Sequence, residues 1–195
     1  LPLGSGNSFM RDFDLNTPEA ALDAILAGKR RSCDLVHCAH SAGEFHYINL
    51  LSVGFTAEAG AVTNRRFKPL GVAGYIAAVG VCMVRLKHPV VVFQGAGIDR
   101  NDRRHTLITF SNSKYTGGQM CMAPNADPSD GKFDVVHVGW MHRRRFASCF
   151  PRIFQGTHVD MKETESHQTT HVAFDLDHKV DVMVDGEVLS LQLQT

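Results

Sequence analysis

The sequence has no net charge, because Lys and Arg together number 20 and so do Asp and Glu. A chain without an excess of positive charge has no general attraction to nucleic acid, so we expect no nucleic-acid partner. A long apolar run is also missing. The most apolar stretch, residues 70–84, is shorter than the roughly 20 residues that span a bilayer. The composition predicts a globular protein with a substantial core.

Disulfide patterns and leader signals are absent as well. The cysteines are odd in number and none forms a CxxC pair, and no charged leader with a cleavage site opens the chain. We therefore expect reduced thiols in a cytoplasmic protein. The segment "CDLVHCAH" gathers Cys33, His37, Cys38 and His40, but a strand turns adjacent side chains to opposite faces, so no zinc site is predicted there.

Helical signals occur in three places. Thr17 is a good N-cap before Pro18 and Gly28 is a stop, which predicts a helix over 17–27. The Gly- and Ala-rich segment 69–86 predicts a second helix, and 143–154 a third that Pro151 kinks or ends.

Most of the remaining chain shows the period of two that is typical of strands. Residues 34–39 and 45–55 predict a hairpin with the turn "SAG" between them. Six later runs carry β-branched or aromatic residues between turn residues: "VVVFQG", "HTLITFSN", "KFDVVHVG", "HVAFDLD", "KVDVMVD" and "EVLSLQL". Short connections between successive strands predict an antiparallel sandwich or barrel, and a mostly β, α+β fold class.

Three segments carry groups that suit chemistry. In "PLGSGNSF", a turn between a strand end and a helix presents backbone N–H groups and a hydroxyl that can face a phosphate or nucleotide, although a tight turn alone would look the same. In "SNSKYTGGQMCMAPNADPSDGKFDV", Asp127 and Asp130 offer hard oxygen ligands for a divalent metal, or else are solvated aspartates of a hairpin.

The third segment is "VMVDGEVL". Asp185 and Gly186 predict a two-residue hairpin turn, and Glu187 follows directly, so two carboxylates lie at one turn. If that turn borders a cleft, one carboxylate can be a general base while the other holds a metal or orients its neighbour. A plain surface hairpin is the alternative.

Taken in order, these segments resemble the catalytic region of the diacylglycerol kinase and sphingosine kinase family. "LPLGSGNSF" is similar to its "PxGTxND" or "PAGSGN" segment, "VGFTAE" to its "GFDA" stretch, and "YTGGQMCMAPNADPSDGKFDV" to its "GGGMxxxPxAxxxDGxFDV" signature, with "VDGE" completing the series. The resemblance implies an α/β nucleotide-binding domain followed by a β-sandwich lipid-binding domain, with the active site between them. On that basis residues 1–30 are the remnant of the first domain and 31–195 form the second.

The resemblance also implies roles for particular residues. Ser5 matches the ATP-contacting residue, with Gly4, Gly6 and Asn7 shaping its loop. Asp127, Asp130 and Lys132 match the positions that hold a structural magnesium, where Lys132 offers its carbonyl. Glu187 matches the proton acceptor and Asp185 its partner, although the two roles could be exchanged.

The implied activity is a lipid kinase that transfers the γ-phosphoryl group of ATP to a lipid hydroxyl with Mg²⁺. Two departures stand out: Ser8 replaces a frequent Asp, and the "GGDGT" phosphate motif is not in this sequence, so the fragment alone is expected to be inactive. The alternative is a non-catalytic lipid-binding module of the same fold. A lipid substrate and transient contact with a membrane surface, through Arg143, Arg144 and Arg145, are expected, and a homodimer is left open.

Overall fold

The computed structural model describes residues 1–3, 7–67, 70–94, 104–117, 119–176 and 179–191. Helices are few in these ranges. Short 3₁₀ segments cover Phe9–Phe13 and Thr157–Asp160, and a π-helical turn covers Thr63–Phe67. The α-helices are α1 (Pro18–Leu26), α2 (Phe55–Val62), α3 (Gly71–Val84), α4 (Arg143–Cys149) and α5 (Arg152–Gln155).

Strands dominate the rest of the described chain. They are β1 (Val36–His40), β2 (Gly43–Tyr47), β3 (Leu50–Gly54), β4 (Val91–Gln94), β5 (His105–Ser111), β6 (Tyr115–Thr116), β7 (Met120–Cys121), β8 (Phe133–Gly139), β9 (Thr164–Thr169), β10 (Ala173–Leu176), β11 (Val180–Val184) and β12 (Glu187–Leu191). A six-stranded antiparallel sheet has the order β12-β11-β3-β5-β8-β9, and the pairs β1-β2, β4-β10 and β6-β7 form separate antiparallel ribbons.

The six-stranded sheet is the central layer of a sandwich. One face packs against α2, α3 and α4 in a core that includes Leu50, Leu107 and Val138. The other face is covered by the β1-β2 and β4-β10 ribbons in a second core, to which Leu51 and Ile108 belong. Adjacent residues of one strand enter different cores because side chains alternate across a sheet. The predicted mostly β antiparallel sandwich is confirmed.

Several local predictions are also confirmed. Helix α1 begins after Thr17, whose hydroxyl accepts the N–H of Ala20 at 3.2 Å. Helix α3 occupies most of the predicted segment 69–86, and the third predicted helix is divided at Pro151 into α4 and α5. The division follows from proline's missing N–H and its clash with the preceding turn.

The predicted strand over 45–55 is wrong in its length. It is two strands, β2 and β3, interrupted at Ile48 and Asn49, and the chain then leaves the sheet at Gly54, with φ +90°. Phe55 therefore begins α2 and packs in the helical core. The sequence reading also missed α2 itself and the polar edge strand β9.

The apolar helix α3 packs into the core on the helical face of the sheet through Tyr75, Val79 and Cys82. Within the described ranges, no helix is both long enough and apolar enough to cross a membrane.

An added side chain at Gly54 is expected to be costly. An added Cβ would lie 2.7 Å from the carbonyl oxygen of Thr106, and the positive φ is strained for any L residue. Gly54→Ala should therefore lower the free energy of unfolding by about 3 kcal/mol or more, measured by urea denaturation.

Gly28→Ala is the matched control. Gly28 also has a positive φ, +62°, but nothing lies within 4 Å of its added Cβ, so the backbone strain of about 1 kcal/mol remains without the clash. Equal losses in the two variants would contradict the close approach at Gly54.

Candidate functional site

The segments singled out in the sequence converge on one end of the six-stranded sheet. In the antiparallel register, Leu50 at the start of β3 lies opposite Ser111 at the end of β5, which in turn lies opposite Asp134 near the start of β8. The β11-β12 turn and the loop before β8 leave the sheet at this same end. The fold thus brings the predicted catalytic turn and the predicted metal loop to one side.

Asp185 binds the segment 48–50, where the chain passes from β2 to β3; we call Asp185 and this segment the Asp185 corner. Its Oδ2 accepts the backbone N–H of Ile48 at 2.9 Å, and its Oδ1 accepts those of Asn49 and Leu50 at 2.9 and 3.1 Å. Its own N–H donates to the carbonyl of Leu50 at 3.1 Å. Because three amides occupy the carboxylate, Asp185 is better suited to holding the backbone than to accepting a proton from a substrate.

Glu187 differs from Asp185 although both are exposed. It begins β12 opposite Val184, past the tight turn in which Asp185 and Gly186 both have positive φ. This turn is the two-residue hairpin predicted from Asp-Gly. The side-chain carboxylate of Glu187 has no hydrogen bond or ion pair in the described part of the chain, whereas that of Asp185 accepts three amides.

A hydrogen-bonded network extends from the Asp185 corner along the end of the sheet. The Oδ1 of Asn49 accepts a short hydrogen bond from the hydroxyl of Ser113, and the carbonyl of Asn49 accepts the N–H of Asn112 at 2.8 Å. The side-chain amide of Asn112 donates to the carbonyls of Ile48 and Asp34, at 2.8 and 3.0 Å. The network therefore ties the corner to the segment that precedes β1.

Asp34 continues this network to the predicted metal loop. Its Oδ2 accepts the N–H of Gly131 at 2.8 Å, and its own N–H donates to the carbonyl of Pro128 at 2.7 Å. Within the loop, Oδ1 of Asp127 accepts from the N–H and hydroxyl of Ser129, which lowers the pKa of Asp127.

The remaining loop positions are also engaged. Asp130 accepts the N–H of Lys132 at 2.9 Å through Oδ1 and the side-chain amide of Gln168 at 2.8 Å through Oδ2. Beside them, burial and the nearby Asp130 carboxylate raise the pKa of Asp134 to about 6. Oδ2 of Asp134 is buried and has no hydrogen-bond partner among the described residues. A cation near this loop would satisfy that oxygen.

The segment that follows the predicted nucleotide loop reaches the same end of the sheet. The Oδ1 of Asp12, in the 3₁₀ turn after Asn7, accepts the N–H of Lys114 at 3.2 Å, and burial raises the pKa of Asp12. Lys114 directly follows the network residue Ser113. The N-terminal segment and the Asp185 turn are therefore linked through one chain of contacts, whereas Gly4, Ser5 and Gly6 lie outside the described residues.

A cavity of about 730 Å³ opens beside this network. Its floor is the ribbon-covered face of the sheet, including Leu51, Phe110 and Phe133, and its sides are β1 and the segment 170–174. Asp34, Asn112 and Lys132 also border it, so its apolar floor meets a polar rim.

The sequence patterns did not identify the residues that connect the Asp185 turn, the 127–132 loop and the N-terminal segment. Asn49, Asn112, Ser113 and Lys114 were not singled out, and neither was Asp34. The run "SNSK" at the end of a strand was the available signal, because polar residues that directly follow a buried strand lie where loops gather. The roles given to Asp185, Glu187, Asp127, Asp130 and Lys132 stay predictions.

Comparison with known proteins agrees with the fold. Residues 49–192 match the family model of the YegS C-terminal NAD kinase beta sandwich-like domain. A protein named "Diacylglycerol kinase" from Mycobacterium tuberculosis is 30% identical over 192 residues, which are 96% of this chain and 61% of the relative. "Probable lipid kinase YegS-like" from Shewanella frigidimarina is 25% identical over 191 residues, 96% of this chain and 59% of that protein.

Solved structures show the same fold. A crystal structure from Bacillus anthracis str. Sterne whose name includes "diacylglycerol kinase" superposes with a TM-score of 0.69 at 20% identity, over 97% of this chain and 61% of that one. The chain thus spans about three fifths of the length of these relatives.

Asp185→Asn tests the corner directly. Asn also tolerates a positive φ, so the backbone is not strained, but the charge is lost and one acceptor becomes a donor that faces N–H groups. We expect the free energy of unfolding to fall by about 1–2 kcal/mol in urea denaturation. Glu187→Gln is the control and should change the free energy of unfolding by less than about 0.5 kcal/mol. Equal losses in the two variants would show that binding of the three amides does not depend on the charge of Asp185.

Proposed function

Because the chain belongs to the family of YegS C-terminal NAD kinase beta sandwich-like domains, and its relatives are named lipid kinases, we propose that it forms the lipid-binding and catalytic part of an ATP-dependent lipid kinase. The observation that carries the proposal is a cavity with an apolar floor, whose polar rim belongs to the same network as Asp185. Such an arrangement suits a lipid whose chain is buried while its hydroxyl stays near charged groups.

In this proposal the lipid chain occupies the cavity between the layers of the sandwich. Phe110 and Phe174 stack at 4.6 Å between ring centroids, and the hydroxyl of Tyr47 donates to the carbonyl of Phe110 at 3.2 Å, so the aromatic wall is held in place. A preformed apolar wall favours alkyl chains over water. The lipid hydroxyl then lies toward the rim formed by Asp34 and Asn112.

Glu187 is the proposed proton acceptor for that hydroxyl. A carboxylate that is exposed and without a hydrogen-bond partner in the described structure can accept a proton as the oxygen attacks the γ-phosphorus, whereas Asp185 is held by three amides. These three amides are the reason for proposing Glu187, and not Asp185, as the base. Asp185 would then act by fixing the corner beside Glu187.

The nucleotide is proposed to lie against residues 4–7, with Gly4, Ser5, Gly6 and Asn7 presenting backbone N–H groups to its phosphates. Lys114, which follows the network and contacts Asp12, offers a positive charge at this side. Asp127, Asp130 and the carbonyl of Lys132 are hard oxygen donors of the kind that Mg²⁺ prefers, and the buried Asp134 oxygen beside them fits a cation as well. A bound Mg²⁺ would supply positive charge and order the loop.

We also propose that the lipid is taken from a membrane surface. Arg145 is paired with Glu163 at 3.3 Å, whereas Arg143 and Arg144 are exposed at the start of α4, and the exposed Trp140 lies just before them in the sequence. Basic and aromatic side chains together suit the headgroup region of an anionic membrane.

Glu187→Gln in the intact protein tests the catalytic assignment. With ATP, Mg²⁺ and a panel of lipids that carry free hydroxyls, including diacylglycerol and a sphingoid base, we expect kcat to fall by about 100-fold or more while the lipid is still bound. Glu44→Gln removes an exposed carboxylate on β2, away from the network, and should leave kcat unchanged.

Two outcomes would contradict this proposal. Unchanged activity in Glu187→Gln would remove Glu187 from the mechanism. Lipid binding without phosphorylation of any lipid by the unsubstituted intact protein would support a non-catalytic lipid-binding module instead.

Cys38→Phe tests the cavity. Cys38 lines it from β1 and is half-buried, so a phenyl ring there would occupy space that the lipid chain needs. We expect the KM for long-chain lipids to rise by about tenfold, with little change for short-chain analogues. Cys33→Phe adds the same ring at a half-buried cysteine outside the cavity lining and should leave the KM for both long-chain and short-chain lipids unchanged. Equal effects of Cys38→Phe and Cys33→Phe would place the lipid elsewhere.

A further inference from the structure

Three metal-ligating side chains meet toward the other end of the six-stranded sheet from the candidate site. His137 lies on β8, and Glu165 and His167 lie on the edge strand β9. The register places His137 directly opposite Glu165, and Glu165 and His167 are two residues apart, so all three project from one face. Paired strands, rather than a loop, bring these side chains together.

Their ligand atoms are close to the spacing that a metal ion requires. All three lie within 4.8 Å of one another. Oε2 of Glu165 is 3.1 Å from Nε2 of His137 and 3.7 Å from Nε2 of His167. Around a tetrahedral ion with bonds of about 2.0–2.1 Å, ligand atoms are roughly 3.3 Å apart. The rings of His137 and His167 are stacked, with centroids 6.3 Å apart, and the side chains of Glu165 and His167 are 45% and 33% exposed, so these two can rotate toward one ion.

One of the three ligands is fixed by burial. The side chain of His137 is 3% exposed, and its ring packs edge-on against that of His105, with centroids 5.4 Å apart. His137 and Glu165 border a cavity of about 560 Å³, which Arg104, Lys162 and Glu163 also line. Three protein ligands with one open position are a common zinc arrangement, and water or hydroxide from this cavity can take the fourth place.

We propose that His137, Glu165 and His167 form a binding site for a transition-metal dication of the Zn²⁺ type. Imidazole and carboxylate ligands suit Zn²⁺, Co²⁺ or Ni²⁺, whereas the oxygen-only loop at the other end suits Mg²⁺. No other three His, Cys, Asp or Glu side chains come this close together in the ranges that the structure describes. The ion would join the edge strand β9 to β8.

A cobalt titration tests the site. The full chain, purified without a histidine tag and stripped with a chelator, is titrated with Co²⁺ while visible absorption is followed, and Zn²⁺ is then added as a competitor. We expect one equivalent of Co²⁺ to give a tetrahedral spectrum without thiolate charge-transfer bands, and Zn²⁺ to displace it and raise the thermal midpoint. Glu165→Gln and His167→Asn should each weaken binding by about tenfold or more.

His46→Asn is the matched control. His46 stacks on His37, which contacts Glu44 at 3.0 Å, so this second His-Glu-His group on the β1-β2 ribbon has the same chemistry without the same convergence. We expect its affinity for Co²⁺ to equal that of the unsubstituted chain. Equal thermal midpoints of all variants in chelator would show that folding is retained.

Three results would overturn the proposal. The first is no Co²⁺ or Zn²⁺ binding by the unsubstituted chain, which would leave a hydrogen-bonded His-Glu-His cluster only. The second is full affinity retained in both Glu165→Gln and His167→Asn. The third is loss of binding in His46→Asn.

Discussion

The carboxylate of Asp185 is the contact on which the candidate site depends. It accepts three consecutive backbone amides, from Ile48 to Leu50, at the point where the chain leaves the β1-β2 ribbon and enters the six-stranded sheet. The amides of Ile48 and Asn49 lie between β2 and β3, and a backbone N–H left without an acceptor is costly. By satisfying them, Asp185 fixes the β11-β12 turn against β3. The network through Asn49 and Asn112 then begins from a defined position.

The two ends of the same sheet present different chemistry. At one end, carboxylates and carbonyls gather around the 127–132 loop, next to a cavity with an apolar floor. Toward the other end, histidines from paired strands surround Glu165. Hard oxygen donors and imidazoles select different metal ions, so a single rigid sheet can support two separate functions. Rigidity matters for both, because a site built on strands keeps its groups at fixed distances.

Most of the fold could be predicted because it depends on local patterns. Alternation identified β5, β8, β11 and β12, and Asp185-Gly186 identified the turn that the structure has. What could not be read were long-range contacts. No local pattern shows that Asp185 accepts amides 135–137 residues away, and for this reason 45–55 was predicted as one strand. Nor does any local pattern show that the side-chain amide of Asn112 donates to the carbonyl of Asp34. Edge strand β9 was missed because "TESHQT" is polar, and its pairing with β8 comes from tertiary structure.

The proposed site requires the nucleotide loop, the 127–132 loop and the Asp185 turn to act on one substrate. The most direct measurement is a crystal structure of the intact protein with a non-hydrolysable ATP analogue, Mg²⁺ and a lipid. We expect the phosphates beside residues 4–7, the alkyl chain in the cavity above Leu51 and Phe110, and the Glu187 carboxylate within hydrogen-bonding reach of the lipid hydroxyl. A nucleotide bound at the far end of the sheet, or a lipid hydroxyl out of reach of Glu187, would contradict it.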